Sequence, residues 1–234
     1  MSKCLVVKRE VLEKTHFWQK IPRVDGKIFG MIKLSEDEIK EFLKIIDENK
    51  EFRERKGIDG IEDKPEWQQI IFYSLIRQSD KFFVYQRGGK DSKSGEERLE
   101  LKISAGIGGH IEPFDNSLID SLYRELDEEV VFEKNSQEIN LKNSQEGINK
   151  NLFSKIANIK ILGLIKYETD EVGQVHLGLA CKVDLLDHEI EVKVREEEEN
   201  IKGKMMTEKE YQNLIKVGSV EVETWTKILM EKFK

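Results

Sequence analysis

Three glutamates, Glu125, Glu128 and Glu129, stand at i, i+3 and i+4 within the stretch 117–130, SLIDSLYRELDEEV. On a helix this spacing projects the three carboxylates from one side, where like charges destabilise the helix unless a cation offsets them. An all-carboxylate set suits a hard, oxygen-seeking divalent ion such as magnesium or manganese. Such an ion polarises a phosphoryl oxygen and lowers the pKa of a bound water, which is the chemistry of phosphate hydrolysis. Acidic residues also crowd ordinary solvated helix faces, and in a chain with 36% charged residues the cluster alone decides nothing. The residues just upstream, Gly108-Gly109-His110-Ile111-Glu112-Pro113-Phe114-Asp115, shift the balance, because they form a glycine-rich loop running into that helix.

The helix has the means to hold its acidic face in place. Pro113, Asp115 and Asn116 break the chain before it, with Asn116 as the expected N-cap. Leu118, Leu122, Leu126 and Val130 recur every fourth residue and give a stripe that faces a core.

The combination GGHIEPFD…RELDEEV resembles the Nudix box, G-x5-E-x7-R-E-U-x-E-E-x-G-U with U aliphatic. Gly109 matches the leading glycine, and Arg124, Glu125, Leu126, Glu128 and Glu129 match R-E-U-x-E-E. Asp115 stands where the family has its first glutamate, Asn116 to Tyr123 is one residue longer than the family spacing, and Val131 replaces the glycine after the helix. The resemblance implies an α+β fold, a Nudix-like α/β/α sandwich with a mixed central sheet. It implies a magnesium or manganese site at Glu125, Glu128 and Glu129, with the Gly109 carbonyl and Glu112 as further ligands. It also implies that Arg124 orients a box glutamate rather than binding substrate. A family glutamate outside the box often supplies a ligand or the general base; here Glu168, Asp170 and Glu171 are the candidates, on an acidic turn before a long strand.

The chain has 234 residues and 38% hydrophobic content, enough for one domain with elaborations. Its 39 basic and 46 acidic residues give a net charge of −7, which disfavours non-specific binding to DNA or anionic membrane. Two cysteines, Cys4 and Cys181, argue against a disulfide scaffold. No run approaches the ~18 apolar residues of a membrane span, so the expectation is a cytoplasmic protein.

Residues 1–64 read as an N-terminal extension or arm with one helix, opened by a capping box at Ser35 and Glu38 and running to about Phe52. Its role is left open between forming a homodimer, shaping the pocket and covering a sheet edge. Residues 65–234 read as the Nudix-like domain. There, Gln68–Gln78 and Lys81–Gln86 are strands joined by a Ser79-Asp80 turn, followed by the polar loop 87–98. The near-duplicate KNSQEIN and KNSQEGIN within 133–151 reads as an expanded polar surface loop. Gln174–Leu185 reads as a strand with His176 as a structural histidine, and 195–199 as a solvated charge run. Two C-terminal helices, one capped at Thr207 and one over 220–233, close the sandwich.

Two functions of different class follow. One is a metal-dependent hydrolase of a pyrophosphate bond in a nucleoside diphosphate linked to another moiety. The other is a catalytically silent nucleotide-binding or regulatory module. An isoprenoid diphosphate isomerase would need a catalytic cysteine, for which Cys4 and Cys181 are poorly placed. Arg77, Tyr85, Arg87, Arg98, His110 and Glu171 are the candidate substrate contacts, and ADP-ribose, dinucleotides, nucleotide sugars and oxidised nucleoside triphosphates all remain open as substrates.

Overall fold

The strand Trp67–Gln78 is apolar or β-prone along most of its length and is buried on both faces, as a central strand must be. Its even residues Ile70, Phe72 and Ile76 join one hydrophobic cluster and its odd residues Tyr73 and Leu75 join another. This alternation defines three layers. The first cluster takes Phe42 and Ile46 from the helix Glu36–Asn49 and Leu122 and Leu126 from the acidic helix Leu118–Glu129. The second takes Tyr211 from the helix Glu208–Val217 and Trp225, Ile228 and Leu229 from the helix Thr224–Lys232. The result is the expected α/β/α sandwich, seen in a computed structural model that describes residues 3–88, 102–143, 147–195, 203–217 and 220–232.

The sheet is mixed. Trp67–Gln78 runs parallel to His176–Leu185 from His176 opposite Gln69 to Asp184 opposite Arg77. His176–Leu185 pairs antiparallel with Ala157–Tyr167, and that strand pairs antiparallel with Lys27–Lys33. On the other side Lys81–Gln86 returns antiparallel through a turn in which Ser79 has φ +56°, and Gly203–Thr207 adds the outer strand.

Several elements differ from the sequence reading. Residues 1–64, expected to carry one helix, hold helices Arg9–Glu13, His16–Lys20 and Glu36–Asn49. Leu5–Val7, which reads as a short strand in the sequence, lies in the strand Lys3–Lys8, which pairs with Trp67–Gln78, and the further strand Lys27–Lys33 pairs with Ala157–Tyr167. The capping box forms as expected, with Ser35 N–H donating to Glu38 Oε2 at 2.8 Å and Glu38 N–H to Ser35 Oγ at 3.3 Å. The helix stops at Asn49 because Lys50 turns extended and Glu51–Glu54 pairs with Lys3–Lys8. Among its described residues, the polar segment after the acidic helix pairs and packs where a surface loop is expected. Asn135 and Ser136, both at positive φ, turn the chain so that Lys134 pairs with Gln137. Leu141 anchors the segment in the core at 2% exposure. The Glu196–Glu199 part of the charge run and most of the 87–98 loop lie outside the described residues.

Leu126 is fully buried between the acidic helix and the sheet. Leu126→Ala is expected to lower unfolding free energy by about 2–5 kcal/mol, read from urea denaturation followed by circular dichroism.

Candidate functional site

The glycine loop reaches its position by pairing. Ile107 and Gly106 lie opposite Ser74 and Leu75, and a single bridge joins His110 to Ile71. Gly108 has φ +152°, and a Cβ there would sit 2.0 Å from Phe72 O. A Cβ on Gly109 would lie 2.5 Å from Glu125 Oε2, so the missing side chain is the space in which the Glu125 carboxylate sits.

The acidic helix is held at both ends. Its N-cap is Ser117, not Asn116: Ser117 Oγ accepts Asp120 N–H at 3.2 Å, and the residue by which the box exceeds the family spacing is absorbed in the turn before it. Asp115 lies inside that turn, where its Oδ2 accepts Glu112 N–H at 2.7 Å. The helix ends without a left-handed residue. Val130 is extended at φ −132° and ψ 155° and passes directly into the strand Val130–Lys134, so Val131 serves where the family has glycine. The orphan carbonyls of the last turn go to Arg195, whose Nε–H reaches Asp127 O, whose Nη2–H reaches Val130 O at 3.3 Å and whose backbone N–H reaches Glu129 O at 2.9 Å. Arg195 is thus a helix cap rather than part of a solvated run.

Arg124 is the hub of the site. Its Nε–H and Nη2–H donate to the two Asp115 oxygens at 2.9 and 3.0 Å, and Nη2–H also donates to His110 O at 2.7 Å. Its Nη1–H groups donate to Glu125 Oε1 at 2.9 Å and Glu128 Oε2 at 2.8 Å. The like-charge strain expected of the glutamate cluster is therefore relieved by a guanidinium. Among the described residues no set of three His, Cys, Asp or Glu side chains is already gathered at metal-holding distances. Burial pushes the Glu125 carboxyl up to about 8; Arg124 opposes the shift, while Glu129 and Glu128 add to it.

Gly109, Glu112, Glu125, Glu128 and Glu129 line one cleft of about 340 Å³, in the range of small-molecule sites. Of the expected substrate contacts, Arg87 and His110 also line it. Tyr85 lies behind the wall, donating to Gly106 O at 3.3 Å and accepting from Arg87 at 3.2 Å. Arg77 lies six residues along the central strand from the cleft residue Ile71, roughly 20 Å away, and donates to Ser79 O at 3.4 Å. Glu171 sits exposed on the short helix Glu171–Val175 and does not line the cleft, although the next residue, Val172, does. Arg98 lies outside the described residues. Glu168 is committed to Arg9 at 2.8 Å and Asp170 caps the short helix through Gly173 N–H at 2.8 Å, so neither faces the box. Neither cysteine lines the cleft, and both are buried.

The far wall was not legible in the sequence. Tyr73, Tyr167 and His176 come from separate strands, Trp225 from the C-terminal helix and Glu223 from the residue before it, and Arg55 comes from the N-terminal segment. No spacing links them; the sheet register does. Glu223 Oε2 accepts Ser104 Oγ–H at 2.6 Å and Tyr73 O–H at 3.0 Å. His176, expected to be structural, donates Nδ1–H to Val172 O at 2.7 Å, so its Nε2 is an acceptor. His110 Nε2–H is shared between that atom at 3.2 Å and Gln69 Oε1 at 2.9 Å. Burial, then Arg55, His176 and Arg124, hold the His110 pKa well below its usual value, which keeps His110 neutral.

No family model matches the chain. Protein YmaB of Bacillus subtilis (strain 168) is 31% identical over 191 residues, 77% of each chain. The crystal structure of Tm1382, described as a proposed Nudix hydrolase, superposes with a TM-score of 0.67 at 23% identity, covering 99% of this chain and 97% of that one.

Two outcomes test this account. A carboxyl that titrates near 8 when folded and near its ordinary 4.5 when unfolded binds more proton in the folded state between those values. Stability in EDTA should therefore fall as pH rises from about 5 to 8. Glu125→Gln should flatten that slope in thermal melts across the range. Arg195→Ala should cost about 1–2 kcal/mol in urea denaturation by uncapping the acidic helix.

Proposed function

Because this chain belongs to the family of Protein YmaB and has the Nudix hydrolase fold, we propose that it is a metal-dependent hydrolase of a pyrophosphate bond in a nucleoside diphosphate linked to another moiety. The observation that carries this reading is the seating of Glu125 against Gly109, in a cleft that also contains Glu112, Glu128 and Glu129. The all-oxygen donor set fits a hard divalent cation, and the space beside Gly109 admits a carboxylate that a side chain there would exclude. Glu125, Glu128 and Glu129 would hold magnesium or manganese, with the Gly109 carbonyl and Glu112 beside them. Such an ion, when bound, polarises a phosphoryl oxygen and acidifies a water.

The chain's own residues do the rest. Arg124 positions Glu125 and Glu128 and ties them through Asp115 to the glycine loop. Glu223, a cleft carboxylate outside both the acidic helix and the glycine loop, is the candidate proton acceptor, held in place by the Ser104 and Tyr73 hydroxyls. One observation favours the silent binding module instead: Arg124 already neutralises part of the acidic cluster, so the cluster does not by itself demand a metal.

The discriminating measurement is nucleotide or phosphate release from a panel of nucleoside diphosphate derivatives, with magnesium, with manganese and with EDTA. Turnover lost on chelation, and reduced on the order of 100-fold or more by Glu128→Gln in a protein that melts like the wild type, is the expected result. Silence across the panel with thermal stabilisation by one compound would favour the binding module.

A further inference from the structure

Three arginines line the cleft, and they differ in how fully their guanidinium groups are engaged among the described residues. Arg124 donates to Asp115, Glu125, Glu128 and the His110 carbonyl. Arg87 donates to the Tyr85 hydroxyl at 3.2 Å and faces Glu223 at 3.9 Å. The Arg55 guanidinium makes a single hydrogen bond, Nη2–H to Glu62 Oε1 at 3.2 Å, and its buried Nε–H has no acceptor. A buried donor left without a partner is unfavourable, and a guanidinium that lines a cleft, as Arg55 does, suits the paired oxygens of a phosphate.

The backbone presents Arg55 rigidly. The preceding strand Glu51–Glu54 is hydrogen-bonded to Lys3–Lys8, and the Arg53 guanidinium lies 3.8 Å over the Trp67 ring. Arg55 O accepts Ile61 N–H at 3.0 Å and Glu62 N–H at 3.2 Å, closing the loop behind it. Gly60 allows that closure, since a Cβ there would lie 2.7 Å from Arg55 O. These contacts are made by the backbone, and the Arg55 side chain adds to the loop only its ion pair with Glu62.

We propose that Arg55 is an anion-recognition residue of this cleft. It takes phosphate oxygens that the acidic helix does not hold, and Glu62 is the internal competitor that the phosphate displaces. The N-terminal segment thereby becomes part of substrate recognition. The inference rests on the reading of the cleft as a pyrophosphate site.

The test is calorimetric titration of methylenediphosphonate, which is not hydrolysed, in magnesium, with wild type, Arg55→Ala, Arg55→Lys and Glu62→Gln. Arg55→Ala should weaken binding by about tenfold or more, and Arg55→Lys should recover part of the loss, because lysine keeps the charge but not the planar fork. Glu62→Gln should tighten binding, an effect that a merely structural ion pair would not give. If Arg55→Ala alters the thermal melt, the Lys and Gln variants carry the test. Wild-type affinity in Arg55→Ala, or a loss in Glu62→Gln, would overturn this inference while leaving the hydrolase reading intact. Failure of the wild type to bind would overturn both.

Discussion

The site depends on one guanidinium. Arg124 joins the loop that would approach a phosphate, through Asp115 and the His110 carbonyl, to the helix that carries the carboxylates, through Glu125 and Glu128. Without a buried cation at this point, Glu125 would face its neighbours across a low-dielectric gap with nothing to offset the repulsion. Burial works against the Arg124 charge, but the Asp115 hydrogen bonds and the charges of Glu125, Asp115 and Glu128 outweigh it and hold its pKa above the ordinary value. Asp115 meets the guanidinium with both oxygens from the turn before Ser117.

The second constraint is the register of the parallel strand pair. His176 stands opposite Gln69, and Gln69 Oε1 accepts from His110, so the strand end, the glycine loop and the short helix Glu171–Val175 meet at one edge of the cleft. A slip of one residue would turn His176 to the other face of the sheet and remove it from this edge. The same register sets Tyr73 toward the C-terminal helix, where its hydroxyl meets Glu223 and Thr226.

What could be read in the sequence was local. The spacing of Leu118, Leu122 and Leu126 gave the buried face of the acidic helix, and the Ser35 and Thr207 caps gave two helix starts, because each rests on contacts within about four residues. The helix on 220–233 was legible in its buried side but not in its start, since Glu223 leaves the helical path to enter the cleft. The box carboxylates were legible because one turn of helix brings them together. Arg55, His176, Glu223 and Trp225 were not, because only long-range pairing brings them to the box. Asp170 and Glu171 misled for the complementary reason. An acidic turn before a strand has the composition of a site, but here its first carboxylate caps a helix, and capping leaves the same trace in a sequence.

The charge inside the cleft limits what can enter it. Glu112, Glu125, Glu128, Glu129 and Glu223 face Arg55, Arg87 and Arg124, so carboxylates outnumber guanidinium groups. Arg124 is fully engaged, and Arg87 is shared between a phenol and Glu223. An anionic ligand therefore meets a wall of its own sign along the acidic helix unless a cation comes with it or a proton stays on Glu125, whose carboxyl titrates near 8. Proton and divalent ion compete for the same carboxylate, so affinity for the ion should rise as pH increases. On the function proposed above, a ligand suited to this cleft would divide its negative groups, some offset by an ion at the helix and some by arginine, as a pyrophosphate linked to further groups would and a single monophosphate would not.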